Sequence, residues 1–263
     1  MSIYNQLRLR TRKVLPRRFH CYCIGAAKTG TTSISSMFKA HFDSAHEPAI
    51  SETNHQIINY LKNEMTAEEV QSFIEKRDRK LNLEMESTHS LIYIAKEVVG
   101  LFPDAKYLVT VREPLSWIRS RINFHFKKHP PEWEEYRQYF WMDKTRGYDP
   151  EEALLEANQL ASLDAYLSQY NEHYLLAKQH LPEAASLYIR TDNLSRESGE
   201  IARFLNINAR DINTSHANSE PEKASFIEGI DEHYLTRKVW GHCEDLIREY
   251  FPERVPFYLD EIQ

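Results

Sequence analysis

The segment Gly25-Ala-Ala-Lys28-Thr-Gly30-Thr31-Thr32 constrains this chain more than any other. It follows a short apolar run, His20-Cys-Tyr-Cys-Ile-Gly25, that reads as a buried strand ended by glycine. It precedes Thr31 through Phe42, where Ile34, Met37, Phe38 and Phe42 recur at helical spacing. Strand, glycine-bearing loop and helix in that order make an anion site. Successive backbone N–H groups and the positive helix end converge on one point, and Gly30 allows close approach. The spacing is that of the nucleotide loop G-x-x-x-x-G-K-[ST], but Thr31 stands where that loop has its lysine. Lys28 sits three residues earlier, facing the middle of the loop. It suits the 5′-phosphate and bridging oxygen of a donor shorter than a triphosphate. No apolar strand ends in an aspartate to hold Mg²⁺, and the clearest strand, Ala105 to Arg112, ends in arginine.

The remaining pattern alternates strands with helices. Residues 51–81 read as a helical hairpin whose second helix opens at the capping box Thr66-x-x-Glu69. Asn82 to Ser87 is a second strand, followed by a helix from about Ser90 to Leu101. Pro114 suits the first turn of a helix running to about Phe126. Residues 128–150, rich in proline, aromatics and charge, read as an irregular insertion. A long helix is expected over 150–180, a strand over Ser186–Arg190, and a helix ending at Leu205 that is capped by Asn193 or Ser195. A polar loop follows to Gly229, then a final helix over 231–250. This order implies an α/β fold with a mostly parallel central sheet flanked by helices. With no internal repeat or linker, residues 19–263 form one domain behind a basic N-terminal arm over 1–18.

That arm carries Arg8, Arg10, Arg12, Lys13, Arg17 and Arg18 among apolar residues, a pattern able to rest weakly on an anionic membrane surface. A solvated leader is the blander account. No apolar run approaches bilayer length, and the N-terminus lacks the order of a secretory signal, so a cytoplasmic location is expected. A net charge of −6 argues against a general nucleic-acid binder. The three cysteines, Cys21, Cys23 and Cys243, are too few for a disulfide framework and read as free thiols. No ligand set for a metal is evident.

Lys28-Thr-Gly-Thr-Thr32 after a strand resembles the 5′-phosphosulfate loop of the sulfotransferases that use 3′-phosphoadenosine 5′-phosphosulfate (PAPS). A second signature of that family is an arginine at a strand end, a proline two residues on and a serine eight residues on. Here these are Arg112, Pro114 and Ser120. A third stretch, Leu187 to Leu194 leading to a helix with Phe204-Leu205, resembles the family's late strand and helix. The resemblance implies a P-loop-like sulfotransferase fold. It also implies a nucleotide held by Ala27, Lys28, Thr29, Gly30, Thr31 and Thr32 at the 5′ end, and by Arg112 and Ser120 at the 3′-phosphate. The transfer it implies is in-line and needs no metal, with Lys28 and the N–H groups of residues 29–32 neutralising the leaving phosphate.

The acceptor's proton requires a base, and two places offer one. Glu47 lies about where the glycan- and tyrosine-directed branches carry a catalytic glutamate. His89, 23 positions before Arg112, lies about where the branch acting on phenols and steroids carries a histidine. Glu47 is the preferred candidate, with His46 and Glu86 as helpers. The aromatic cluster His125, His129, Trp133, Tyr136, Tyr139, Phe140 and Trp141 reads equally as an acceptor wall or as packing. Lys127, Lys128 and Arg137 could meet an anionic acceptor or form a charged helix face. Loop 213–226, with Lys223 and Ser225, lies where family members close over the nucleotide. The acceptor's class, whether glycan, lipid or small hydroxyl compound, stays open. So do two other readings: a nucleotide or small-molecule kinase with a degenerate loop, and a non-catalytic nucleotide-binding module.

Overall fold

Five short parallel strands set the frame, in the order β2-β3-β1-β4-β5. They are β1 (Cys21–Cys23), β2 (Ser44–His46), β3 (Met85–Ser87), β4 (Lys106–Val111) and β5 (Ser186–Arg190). The computed structural model describes residues 16–127, 130–214 and 226–261. The arm before residue 16, Lys128, His129, Lys223 and Ser225 lie outside the described residues. The helices are α1 (Thr31–Phe38), α2 (Ile50–Leu61), α3 (Ala67–Leu81), α4 (Ala95–Leu101), α5 (Pro114–Lys127) and α6 (Glu134–Arg137). The later ones are α7 (Ala153–Ala157), α8 (Leu163–His180), α9 (Ser198–Leu205), α10 (Glu232–Tyr250) and α11 (Val255–Glu261). The fold is α/β, with helices covering both faces of the parallel sheet.

Side-chain alternation along the strands divides the core in two. Cys21, Cys23, Met85, Leu108 and Ile189 point to one face and pack against Ile34, Met37 and Phe38 of α1 and Ile201 and Leu205 of α9. Tyr22, Tyr107, Val109 and Val111 point to the other, among Ile118 and Ile122 of α5, Tyr166 and Tyr170 of α8 and Leu235 and Val239 of α10. All three cysteines are free and buried, and burial pushes their thiols well above the ordinary range.

Several expectations need correcting. The insertion is only partly irregular: Pro131–Trp133 form a 3-10 turn, α6 follows and Gln138–Met142 form a π turn, while residues 143–149 carry no helix or strand. Its Tyr136, Phe140 and Trp141 sit in the main core, so aromatic spacing along a helix outweighs the local charge. The long helix expected over 150–180 is broken. Gln159 takes a left-handed φ of 55°, and Ser162 caps α8 by accepting from the Ala165 N–H. The segment 89–101 opens as a 3-10 turn before α4, and α9 starts at Ser198, later than either proposed cap. Strand β2, only three residues long, and α11 had no sequence signal. The capping box of Thr66 and Glu69 is present as expected.

A buried ion pair fastens α3 to β3. Arg77 donates to both oxygens of Glu86 at 2.7 and 2.6 Å, to Thr53 Oγ1 at 2.9 Å and to the Pro48 carbonyl at 2.9 Å. Thr88 Oγ1 adds a donor to Glu86 at 2.7 Å. Glu86 therefore serves the scaffold. A buried pair satisfied on both sides is costly to break from one side, because the survivor keeps its charge without a partner. Glu86→Ala is expected to lower stability by about 3–5 kcal/mol in urea unfolding. Replacing both partners by leucine should recover most of that loss.

Candidate active site

A cavity of about 850 Å³ opens beyond the carboxyl ends of the strands. Parallel pairing matches Cys23 to Ser87 and His46 to Ser87, so the segments leaving β1, β2 and β3 emerge side by side, next to β4, which continues past the partner of Cys23 to Val111. Crevices beyond the carboxyl ends of parallel strands are where such folds bind ligands. Among the described residues, this cavity is lined by Ala27, Lys28, Gly30, Thr31, Thr32, Glu47, His89, Arg112 and Ser120 of those predicted for the site.

The loop after β1 is held rigidly. A Cβ on Gly25 would lie 2.1 Å from Thr110 Oγ1 and 2.5 Å from the Thr110 nitrogen, so only glycine lets the loop pass over β4. Gly30 caps α1 at φ 97°, and Lys28 also takes a left-handed φ of 72°. Trp117 Nε1 donates to the Ala27 carbonyl at 2.8 Å, Arg112 Nη1 to the Lys28 carbonyl at 3.3 Å, and Thr191 Oγ1 to the Thr29 carbonyl at 2.6 Å. With its carbonyls bound from behind, the loop leaves the first-turn N–H groups of α1 without intrahelical partners, facing an incoming anion.

Thr29 departs from its predicted role. It is fully buried; its hydroxyl bonds the Ala26 carbonyl at 2.5 Å and Thr110 Oγ1 at 2.6 Å. Its N–H donates to Ala26. It shapes the loop from inside, which leaves residues 30–32 to present their N–H groups.

Arg112 and Ser120 flank the same cavity. Arg112 Nε donates to Ser116 Oγ at 2.9 Å, and its backbone is clamped by Tyr170, whose hydroxyl donates to the Arg112 carbonyl at 2.5 Å. Ser116 and Ser120 are four apart on α5 and share a face with Phe124, over whose ring the Lys28 ammonium lies at 4.7 Å. Ser116 was missed by sequence reasoning, although its i, i+4 relation to both Arg112 and Ser120 was a usable signal. Glu113, also missed, caps α5 by accepting from the Leu115 and Ser116 N–H groups and from the Tyr258 hydroxyl.

The two candidate bases are in contact. His89 Nδ1 lies 3.0 Å from Glu47 Oε1, and His46 Nδ1 lies 3.6 Å from Glu47 Oε2. His46 Nε2 in turn reaches Thr31 Oγ1 at 3.2 Å and Thr32 Oγ1 at 3.1 Å. Glu47 has a left-handed φ of 50°, and its N–H donates to the Ser87 carbonyl at 2.9 Å. Burial pushes the Glu47 carboxyl up, but the hydrogen bond to His89 and the charges of His89, His46 and Arg121 outweigh it and hold it below the usual range. Burial also pulls His46 below the ordinary imidazole range, partly offset by Glu47. A carboxylate on Nδ1 fixes the proton there, so the lone pair of neutral His89 lies on Nε2. That atom is buried and has no hydrogen-bond partner. The His89 ring stacks on Trp133 at 5.2 Å.

Trp133, Arg121, His125, Arg137 and Trp141 line the cavity as well, while Tyr136 and Phe140 belong to the core. Among the described residues no group of His, Cys, Asp and Glu side chains is placed to hold a metal, and no helix is long and apolar enough to cross a membrane. A protein-family model described as a sulfotransferase domain matches residues 21–222. No curated protein matches the chain.

Because its folded pKa is depressed, Glu47 contributes stability that is present above its ordinary value near 4.5 and lost as pH falls through the lower folded value. Glu47→Gln is thus expected to be less stable than wild type at pH 7. The gap should close on acidification below about pH 4, as read by urea midpoints measured across that range.

Proposed function

The chain belongs to the sulfotransferase family, and on that premise we propose that it moves a sulfuryl group from PAPS to a hydroxyl or amine acceptor. The observation that carries this reading is the pairing, in one cavity, of an anion cradle at the start of α1 with the His89–Glu47 dyad. The cradle fits a nucleotide's phosphates: the α1 N-terminus offers N–H donors, and Lys28, Arg112, Ser116 and Ser120 line the same wall. Bound there, the nucleotide would supply a sulfuryl group on a good leaving phosphate.

The chain's own residues then have separable tasks. Lys28 and the N–H groups of residues 30–32 hold the 5′ side and offset negative charge that builds on the departing phosphate oxygen. Thr31 and Thr32 carry hydroxyls beside those N–H groups. Arg112, with Ser116 and Ser120 on the adjoining helix face, holds the 3′-phosphate, the group that separates this donor from an adenosine triphosphate. His89 Nε2 accepts the proton of the attacking hydroxyl or amine as the bond to sulfur forms and the bond from sulfur to the phosphate oxygen breaks. Glu47 keeps His89 in the required tautomer and balances the imidazolium that results. The preference for Glu47 as base is thus replaced by a division of labour in which His89 takes the proton.

Calorimetric titration of metal-free protein with adenosine 3′,5′-bisphosphate tests the donor assignment. Binding that is lost in Arg112→Ala is the expected outcome; binding of ATP with Mg²⁺ in place of the bisphosphate would return the chain to the kinase reading. For the dyad, His89→Asn should lower kcat on the order of 10²–10⁴-fold with bisphosphate affinity unchanged. Glu47→Gln should lower it less and keep a residual dependence on His89. Turnover that survives His89→Asn and dies in Glu47→Gln would make Glu47 the base.

A further inference from the structure

Arg121 is left without a task by the transfer just proposed. It follows Ser120 on α5, is only 4% exposed and lines the cavity. Its guanidinium carbon sits 4.2 Å from the centroid of the Trp141 ring. Among the described residues it forms no salt bridge, and its Nε is buried without a hydrogen-bond partner. A buried guanidinium lacking a counter-ion is a standing destabilisation of the fold. Burial pulls its pKa down, while nearby Tyr136, Tyr166, Glu47 and Tyr93 pull it up. Glu47 cannot serve as its partner in contact, because its two oxygens face His89 and His46.

Helix geometry places Arg121 on the acceptor's side of the cavity. Ser116, Ser120 and Phe124 form one row of α5 along the anion cradle. Trp117, Arg121 and His125 form the next row, one residue round the helix. That second row meets Trp141, whose ring lies 4.7 Å from His125. Unsatisfied polar atoms gather here: besides Arg121 Nε, both Trp141 Nε1 and His89 Nε2 are buried without partners. Two of these three are donors, and one belongs to a cation.

We propose that Arg121 binds an anionic group of the acceptor, a carboxylate, sulfate or phosphate, so that the substrate is a negatively charged hydroxyl or amine compound. The term acceptor rests on the proposed transfer; the anion site itself does not. An anion on Arg121 satisfies the buried cation. It also anchors the substrate at a point other than the reacting oxygen, which is how remote binding energy orients a reacting group.

The test uses the full chain saturated with adenosine 3′,5′-bisphosphate, so that Lys28 and Arg112 are occupied, and titrates benzoate and inorganic sulfate by calorimetry. At least one of the two anions should bind saturably to wild type and about tenfold or more weaker to Arg121→Met, with Arg121→Lys retaining most of the affinity. Thermal unfolding supplies the second readout. Arg121→Met should melt above ligand-free wild type, because an unpaired buried charge is gone. The bound anion should raise the melting temperature of wild type alone. Equal anion binding by wild type and Arg121→Met would overturn the proposal. So would absence of binding to wild type together with a lowered melting temperature in the variant, which would make Arg121 a packing residue under Trp141. Failure of the bisphosphate to bind would sink the donor assignment alone, since the comparison of wild type with Arg121→Met can be made without nucleotide.

Discussion

The parallel ladder between β1 and its neighbours β3 and β4 is the constraint on which the site depends. Because Cys21 pairs with both Met85 and Lys106, and Ser44 with Met85, β1, β2 and β3 end level with one another, while β4 runs on to Val111 beyond the partner of Cys23. Each segment leaving these strands carries one part of the site: the anion loop after β1, Glu47 after β2, His89 after β3 and Arg112 at the end of β4. A slip of one residue would turn every side chain of a strand to the opposite face and exchange the two cores. The register is therefore enforced by packing. Cys21 and Cys23 fit only among the α1 and α9 side chains, and Tyr22 only among the aromatic ones behind the sheet.

A second layer of constraint converts aligned strand ends into a dyad. Glu47 and Ala49 both take left-handed φ values, 50° and 53°, which cost a non-glycine residue roughly 1–2 kcal/mol each. The turn between them is held by Arg77, which donates to the Pro48 carbonyl while it grips Glu86 on β3. Glu86 also receives the hydroxyl of Thr88, the residue next to His89. One buried ion pair thus fixes the backbone beside both members of the dyad. The strain at Glu47 lies on the wall of the candidate site, and a rigid network opposes its release.

How much of this was legible in the sequence follows from how local each feature is. That the glycine loop, Arg112 and Ser120 share one cavity was legible because a strand, a glycine turn and a helix lie within a dozen residues and their spacing is chemically specific. The contact between Glu47 and His89 was not, because it joins residues 42 positions apart through strands of three residues each. Strands that short carry no periodicity, so β2 had no signal and Glu47 read as a residue in a loop. The same limit made two candidates look like rivals. Thr29 misled for the opposite reason: it lies inside a strong motif, yet its hydroxyl turns toward Thr110 on another strand. The segment 130–142 misled through composition, since Glu132, Glu134 and Glu135 are exposed while Tyr136 and Trp141 are almost wholly buried.

The two buried arginines of this chain show what separates scaffold from site. Arg77 has every feature expected of a structural charge: a bidentate carboxylate, a hydroxyl and a carbonyl, all within 2.9 Å. Its desolvation is offset inside the protein, and it acts on the site only through the backbone it holds. Arg121 is buried to a similar degree, yet it meets only an aromatic face, with its Nε unsatisfied. A cation over a ring recovers part of its lost hydration, on the order of 1–2 kcal/mol, which falls short of what full burial costs. A fold able to build the Arg77 network had the means to pair Arg121 as well, and Glu47 was near enough to be the partner. Glu47 is turned instead toward His89. Directing the Glu47 carboxylate to the imidazole leaves the guanidinium without that partner, and a cation so placed beside the His89–Glu47 pair suits a substrate that brings its own negative charge.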